Sequence, residues 1–86
     1  MKTVIKMSAT WCLPCKQLKP IFEDVTKDIS NIKVVEIDVE EYPHITSNYK
    51  IRGVPTIVIT DENDNVLAMK SGMMTKEQLK DLILRC

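Results

Sequence analysis

The sequence is short of several features, and each shortage excludes a class of protein. With only 86 residues, it has room for one small domain, residues 1–86, and not for a two-domain enzyme. Its apolar runs are a few residues long, whereas a membrane-spanning helix needs about 20 apolar residues. Twelve Lys and Arg balance 12 Asp and Glu, so no net charge attracts nucleic acid or an anionic membrane.

Cysteine is scarce and odd in number, which fits poorly with a fully paired disulfide scaffold of the secreted kind. The three cysteines are Cys12, Cys15 and Cys86. The start of the chain also lacks the apolar stretch of a secretion signal. We therefore expect a cytoplasmic protein.

Hydrophobic periodicity predicts the element order β-α-β-α-β-β-α. Strands are predicted at 3–7, 32–39, 55–60 and 66–69, and helices at 15–31, 42–49 and after the N-cap Thr75. A crossover helix joins a parallel strand pair and a hairpin adds antiparallel strands, so this is an α/β fold, a four-stranded mixed sheet flanked by helices. The apolar second strand is expected in the middle of the sheet. The first helix is expected to continue past a kink at Pro20.

Cys12 and Cys15 stand at the predicted start of the first helix, where free amides and the helix dipole stabilise a thiolate. This favours Cys12, at the exposed start, as an attacking thiol, and Cys15, on the more buried side, as the thiol that resolves a mixed disulfide. Three alternatives remain: a structural disulfide, a chance pair of core cysteines, and a zinc site. Zinc usually needs four ligands, and only Cys86 and His44 could complete the set, so no metal is expected.

Two motifs together resemble those of the thioredoxin family, over nearly the whole chain: Trp11-Cys12-Leu13-Pro14-Cys15-Lys16 and Gly53-Val54-Pro55-Thr56. The resemblance implies a thioredoxin-like fold and a monomeric protein-disulfide reductase that needs no cofactor. Its electron donor would be thioredoxin reductase, and its protein substrates would include ribonucleotide reductase. A glutaredoxin-like reductase that uses glutathione, and a binding module with non-catalytic thiols, stay open.

The same resemblance implies a docking surface for substrates beside the reactive sulfur. It would comprise a cis peptide bond at Val54-Pro55 and the residues Trp11, Val54, Pro55, Gly72 and Met73. A substrate peptide could pair with the backbone at this bend as an added strand. The plainer alternatives are a strand-entry proline at Pro55, a turn at Gly72 and core filling by Met73.

Three positions depart from the family pattern. Lys6 stands where thioredoxins place a buried Asp beneath the dithiol, and Glu36 stands where they commonly have a Lys. We expect an inverted ion pair under Cys15, with Glu36 as the proton acceptor; alternatively, both side chains point to solvent. Leu13 replaces the usual Gly, so the reduction potential cannot be carried over from the family.

Two residues and the chain's start complete the expectations. His44 is expected on the surface without a catalytic role. Cys86 is expected to be an inert thiol at the end of the chain or, alternatively, to form an intermolecular disulfide. The chain begins at the first core strand, without the strand and helix that usually precede it in thioredoxins.

Overall fold

The elements of the computed structural model, which describes residues 1–86, occur in the predicted order β-α-β-α-β-β-α. None of the helices is long and apolar enough to cross a membrane. The bounds are β1 Lys2–Ser8, α1 Leu13–Lys27, β2 Ile32–Asp38, α2 Pro43–Tyr49, β3 Thr56–Thr60, β4 Val66–Ser71 and α3 Lys76–Arg85.

The predicted four-stranded mixed sheet is confirmed, with strand order β2-β1-β3-β4. Strand β1 is parallel to β2 and antiparallel to β3, and β3 is antiparallel to β4. The register pairs Ser8 with Asp38, Met7 with Thr56, and Thr56 with Ser71. The segments that follow β1, β2 and β4, and the segment that precedes β3, therefore meet at one end of the sheet.

The prediction that the second strand lies in the middle of the sheet is wrong. Strand β2 is an edge strand, because β1 and β3 are the two strands with a neighbour on each side. Val34 is accordingly 43% exposed. An apolar run indicates a strand with two sheltered faces, but it carries no information about whether a further strand pairs with its backbone.

Helix α1 buries one apolar stripe against the sheet and runs through Pro20, as its periodicity predicts. The buried residues of this stripe are Cys15, Leu18, Phe22 and Val25. The predicted end at Asn31 is too late, because the helix ends at Lys27 with Asp28 as C-cap. Asn31 has the left-handed φ of 62°, which places it in a turn. Ile29 continues the apolar spacing because it still packs against the core from beyond the helix.

The core lies on both faces of the sheet. Helices α1 and α3 cover one face, in a cluster of Val4, Leu18, Phe22, Val25, Ile57, Ile59, Met74, Leu79 and Ile83. On the other face Ile5, Met7 and Val58 pack with Ile45 and Tyr49 of α2. Successive residues of β1 and β3 thus point to opposite faces, and both of these strands are buried on each side.

The last two elements follow their local sequence signals. The Thr75 side chain accepts a hydrogen bond from the Gln78 N–H, and the Gln78 side chain accepts one from the Thr75 N–H, so the predicted capping box is present. In the predicted hairpin loop, the Asp61 carboxylate accepts from the N–H groups of Asn63 and Asn65. Strand β4 extends to Ser71, two residues beyond its predicted end.

An ion-pair cluster joins α1 to α3 on the surface. The Asp24 carboxylate lies 2.7 Å from the Lys76 ammonium on α3 and 2.9 Å from the Lys27 ammonium on its own helix. Hydrogen bonds from Lys76 and then Lys27 lower the pKa of Asp24 to about 2. Since the carboxyl is solvent-accessible, salt screens this interaction.

Asp24→Asn should therefore destabilise the fold at neutral pH but not in strong acid. The pKa of Asp24 is depressed on folding from about 3.9, so its stabilising effect is present above pH about 4 and is lost as the pH falls towards about 2. Urea unfolding at a series of pH values measures this difference. Asp64→Asn, which removes the same charge from the hairpin loop, is the matched control. A destabilisation by Asp24→Asn that stays constant down to pH 2 would contradict the assignment.

Candidate functional site

Cys12 and Cys15 form a disulfide at the N-terminus of α1, with their Cα atoms 5.3 Å apart. Cys12 is the N-cap residue, with extended backbone, and its Sγ accepts a hydrogen bond from the Cys15 N–H at 3.2 Å. Pro14 lies in the first turn, where its missing N–H costs no helical hydrogen bond. The local sequence thus places one sulfur where unpaired helix amides point.

The prediction of an exposed Cys12 is wrong for this disulfide form, whereas Cys15 is buried as expected. Cys12 is 4% exposed and Cys15 is 3% exposed. Ala9 forms a small cluster with the two cysteines, and Val39 and Val54 pack against it. The Val54 carbonyl oxygen lies 3.7 Å from the Cys12 Sγ. The sequence signal for a helix start places Cys12 at the beginning of α1 but does not report its burial. Cys12 is buried by segments from elsewhere in the chain, one following β2 and one preceding β3.

The loop before β3 brings an open stretch of backbone to the dithiol. The Val54-Pro55 peptide bond is cis. Pro55 is fully buried, so it contributes no exposed apolar surface, and its carbonyl accepts the Gly72 N–H at 2.8 Å. The N–H and C=O of Val54 make no backbone hydrogen bond. A backbone N–H and C=O that pair with no other backbone group therefore lie beside the Cys12 sulfur.

Exposed apolar side chains lie on two other segments at this end of the sheet. Trp11 is 69% exposed and Met73 is 43% exposed, whereas Met74 is buried in the core. Between Met73 and the end of β4, Gly72 has φ 92°, a left-handed conformation that suits glycine. Trp11, Val54 and the pair Gly72 and Met73 lie on three segments that meet at the same end of the sheet.

A depression of about 300 Å³ lies between Trp11 and Val54. The sequence patterns did not single out four of its lining residues: Val39, Thr46, Ile51 and Arg52. The available signal was positional: Val39 directly follows β2, and Ile51 and Arg52 directly precede the Gly53-Val54-Pro55-Thr56 motif.

Beneath the dithiol, Lys6 and Glu36 form an ion pair. They are register partners on β1 and β2, and the Lys6 Nζ lies 2.9 Å from the Glu36 Oε1. The Lys6 side chain is 5% exposed and that of Glu36 is 47% exposed. The Lys6 ammonium also lies 5.4 Å from the centre of the Phe22 ring. One charge of the pair is thus buried and the other reaches solvent.

A cleft of about 280 Å³ joins this ion pair to the dithiol. Cys15, Lys6 and Glu36 all line it. Its remaining lining residues are Ser8, Ala9, Thr10, Lys16, Lys19, Ile37 and Asp38. Cys15 and the Lys6–Glu36 ion pair therefore share one cleft.

The other candidate residues lie apart from these features. His44 is exposed on α2. Cys86 is partly buried, packs against the main core cluster, and its Sγ donates to the Leu82 carbonyl at 3.2 Å. No group of three or more His, Cys, Asp or Glu side chains could hold a metal ion.

The chain is similar in sequence to known proteins. The family model described as Thioredoxin matches residues 1–85. The chain is 37% identical to thioredoxin of Mycoplasmoides gallisepticum, over 95% of this chain and 81% of that one. It is 41% identical to thioredoxin of Buchnera aphidicola from Acyrthosiphon pisum, over 87% of this chain and 69% of that one.

Two solved structures share the fold. An asparagine-to-glutamine variant of Halobacterium salinarum thioredoxin superposes with a TM-score of 0.89 at 32% identity, over 98% of this chain and 73% of that one. Chloroplastic thioredoxin z superposes with a TM-score of 0.82 at 32% identity, over 99% of this chain and 77% of that one. With its paired cysteines at the start of α1, the chain belongs to the thioredoxin family of protein-disulfide oxidoreductases.

Proposed function

We propose that this protein reduces disulfides of other proteins, with Cys12 as the nucleophile and Cys15 as the resolving thiol. The Cys12 thiolate attacks a substrate disulfide, forms a mixed disulfide and expels one substrate sulfur. Cys15 then attacks the Cys12 sulfur, which releases the second substrate sulfur and closes the Cys12–Cys15 disulfide. Two electrons and two protons pass from the dithiol to the substrate, and no cofactor takes part.

The position of Cys12 at the N-cap is the observation that supports this division of roles. Its Sγ already accepts the Cys15 N–H, and it lies at the positive end of the helix dipole, so the protein stabilises a negative charge on this sulfur. Cys15 lies one turn further along and lines the cleft to Lys6 and Glu36. A proton leaving Cys15 therefore has a path away from the docking side.

The free backbone of Val54 supports an extended peptide as the substrate. A peptide that pairs with the Val54 N–H and C=O brings its own disulfide against the neighbouring Cys12 sulfur. Trp11 and Met73 supply exposed apolar area on either side, and Gly72 leaves the approach open. Pro55 acts from below, since its buried ring and its carbonyl hold this loop against Gly72.

We further propose Glu36 as the acceptor of the Cys15 proton, with Lys6 holding it in place. Glu36 lines the same cleft as Cys15, and its half-exposed carboxylate can exchange the proton with solvent. The finer cellular roles follow the family resemblance: a cytoplasmic protein that thioredoxin reductase reduces and that serves acceptors such as ribonucleotide reductase.

Cys12→Ser should abolish the reduction of insulin disulfides by dithiothreitol, with a loss of at least about a hundredfold, because no other thiol occupies the N-cap of a helix. Cys86→Ser is the matched control and should keep full activity. Activity of Cys12→Ser equal to that of the unaltered protein would leave only the binding-module role.

The electron donor is tested by comparing two reducing systems. The unaltered protein should turn over faster with NADPH and thioredoxin reductase than with NADPH, glutathione and glutathione reductase. The reverse order would indicate a glutaredoxin-like donor.

Trp11→Ala should raise the KM for insulin about tenfold, since an exposed aromatic anchor in an interface contributes more than about 1 kcal/mol. Its rate with a small disulfide reagent should stay unchanged, because that substrate does not need the docking surface. Leu84→Ala is the matched control, because it removes an apolar side chain that is 57% exposed. Leu84 lies near the opposite end of the sheet, where the Lys2 ammonium donates a hydrogen bond to the carbonyl of the neighbouring Ile83. Equal KM values for the two variants would contradict a docking role for Trp11.

Glu36→Gln should make the resolving step more dependent on pH. Without an acceptor, the rate follows the fraction of Cys15 that is already thiolate, so the deficit should be largest in weak acid and disappear in alkali. Stopped-flow measurement of disulfide closure across pH tests this. Glu41→Gln removes the same charge from an exposed position outside the cleft and should leave the profile unchanged, whereas an unchanged profile in Glu36→Gln would remove the hypothesis.

A further inference from the structure

A lysine at the position of Lys6 is costly, and nothing in the packing requires it. Residue 6 lies on the central strand β1 and is 4% exposed, and a buried ammonium carries a large desolvation penalty. Val4, the buried neighbour of Lys6 on the same face of β1, shows that an apolar side chain fits this face. The carboxylate of Glu36 offsets part of the cost. The buried ammonium of Lys6 therefore points to a role in the chemistry of the dithiol.

The charged groups that line the cleft with Cys15 come from three elements. Lys6 extends from β1, Glu36 and Asp38 from β2, and Lys16 and Lys19 from α1. The side chains of Lys16 and Lys19 are exposed, so water and salt screen their charges. Lys6 is the one cation of this set that is held out of water, where a charge acts more strongly on its neighbours.

We propose that Lys6 is a positioning residue whose buried ammonium stabilises the thiolate of Cys15, so that the resolving thiol is ready to attack. This rests on the proposed role of Cys15 in disulfide exchange. A carboxylate at this position, as the family resemblance leads one to expect, would oppose the same thiolate by like-charge repulsion. The exchanged signs of Lys6 and Glu36 thus reverse the electrostatic influence on the resolving sulfur.

The resolving step begins in the mixed disulfide, where the Cys15 S–H gives its proton to the Glu36 carboxylate, which passes it to solvent. The Cys15 thiolate attacks the Cys12 sulfur; the Cys15–Cys12 bond forms and the bond from Cys12 to the substrate sulfur breaks. The electron pair leaves on the substrate sulfur, which takes up a proton. Lys6 keeps its proton throughout and acts only through its charge.

The thiolate of Cys15 can be titrated directly in a protein that contains Cys12→Ser and Cys86→Ser, because Cys15 is then the only thiol. Thiolate absorbance in the ultraviolet gives the midpoint pH. Adding Lys6→Met should raise this midpoint so that the thiolate fraction below it falls about tenfold, as expected for removing a buried opposite charge from the cleft that Cys15 lines. Lys6→Arg should restore the original midpoint. Lys19→Met removes the same charge from an exposed position in the same cleft and should change the thiolate fraction less than about twofold.

An unchanged or lowered midpoint in Lys6→Met would overturn the proposal, as would equal shifts in Lys6→Met and Lys19→Met. Circular dichroism verifies folding, and Lys6→Gln, which is uncharged but polar, gives the same test if the Met variant does not fold. Because the titration needs no turnover, its outcome is separate from that of the insulin assay. Failure of insulin reduction would overturn the proposed function, whereas a failed titration with intact reduction would overturn only the role of Lys6.

Discussion

Strand β1 hydrogen-bonds to a strand on each side, and its register sets which residues meet at the dithiol end of the sheet. Its parallel partner β2 delivers Val39, and its antiparallel partner β3 begins just after Val54 and Pro55. A slip of one residue would turn every side chain of β1 to the opposite face. Val4 would then leave the core under α1 and α3, and Lys6 would leave the cleft, so core packing and site geometry depend on the same register.

Local signals in the sequence account for most of the fold and for the dithiol. The spacing of Leu18, Phe22 and Val25 predicts α1, and the capping box at Thr75 predicts the start of α3. Such signals act over a few residues, so they identify an element without its neighbours. They could not place β2 at the sheet edge, since edge position depends on which distant strand pairs with it. The burial of Cys12 escaped prediction for the same reason, because Val39 and Val54 cover it from other parts of the chain.

The ion pair beneath the dithiol could be predicted from the sequence only in part. Charged residues within two apolar strands indicate that Lys6 and Glu36 are unusual, but only the parallel register places them side by side. The two side chains also differ in exposure, which the sequence pattern did not predict: Lys6 is buried and Glu36 reaches solvent. In the proposed mechanism the two residues divide two tasks, since the buried cation stabilises the thiolate and the solvent-facing carboxylate carries the proton away.

In the proposed mechanism, an extended peptide docks on Val54 while its disulfide reacts with Cys12. A protein with Cys15→Ser and Cys86→Ser cannot complete resolution, so it should trap a disulfide-containing protein as a mixed disulfide on Cys12. Mass spectrometry locates the bond, and amide hydrogen exchange followed by NMR reports on the Val54 N–H. We expect attachment through Cys12 together with slowed exchange at Val54. A trapped complex in which the Val54 amide exchanges as fast as in the free protein would contradict docking of the peptide on Val54.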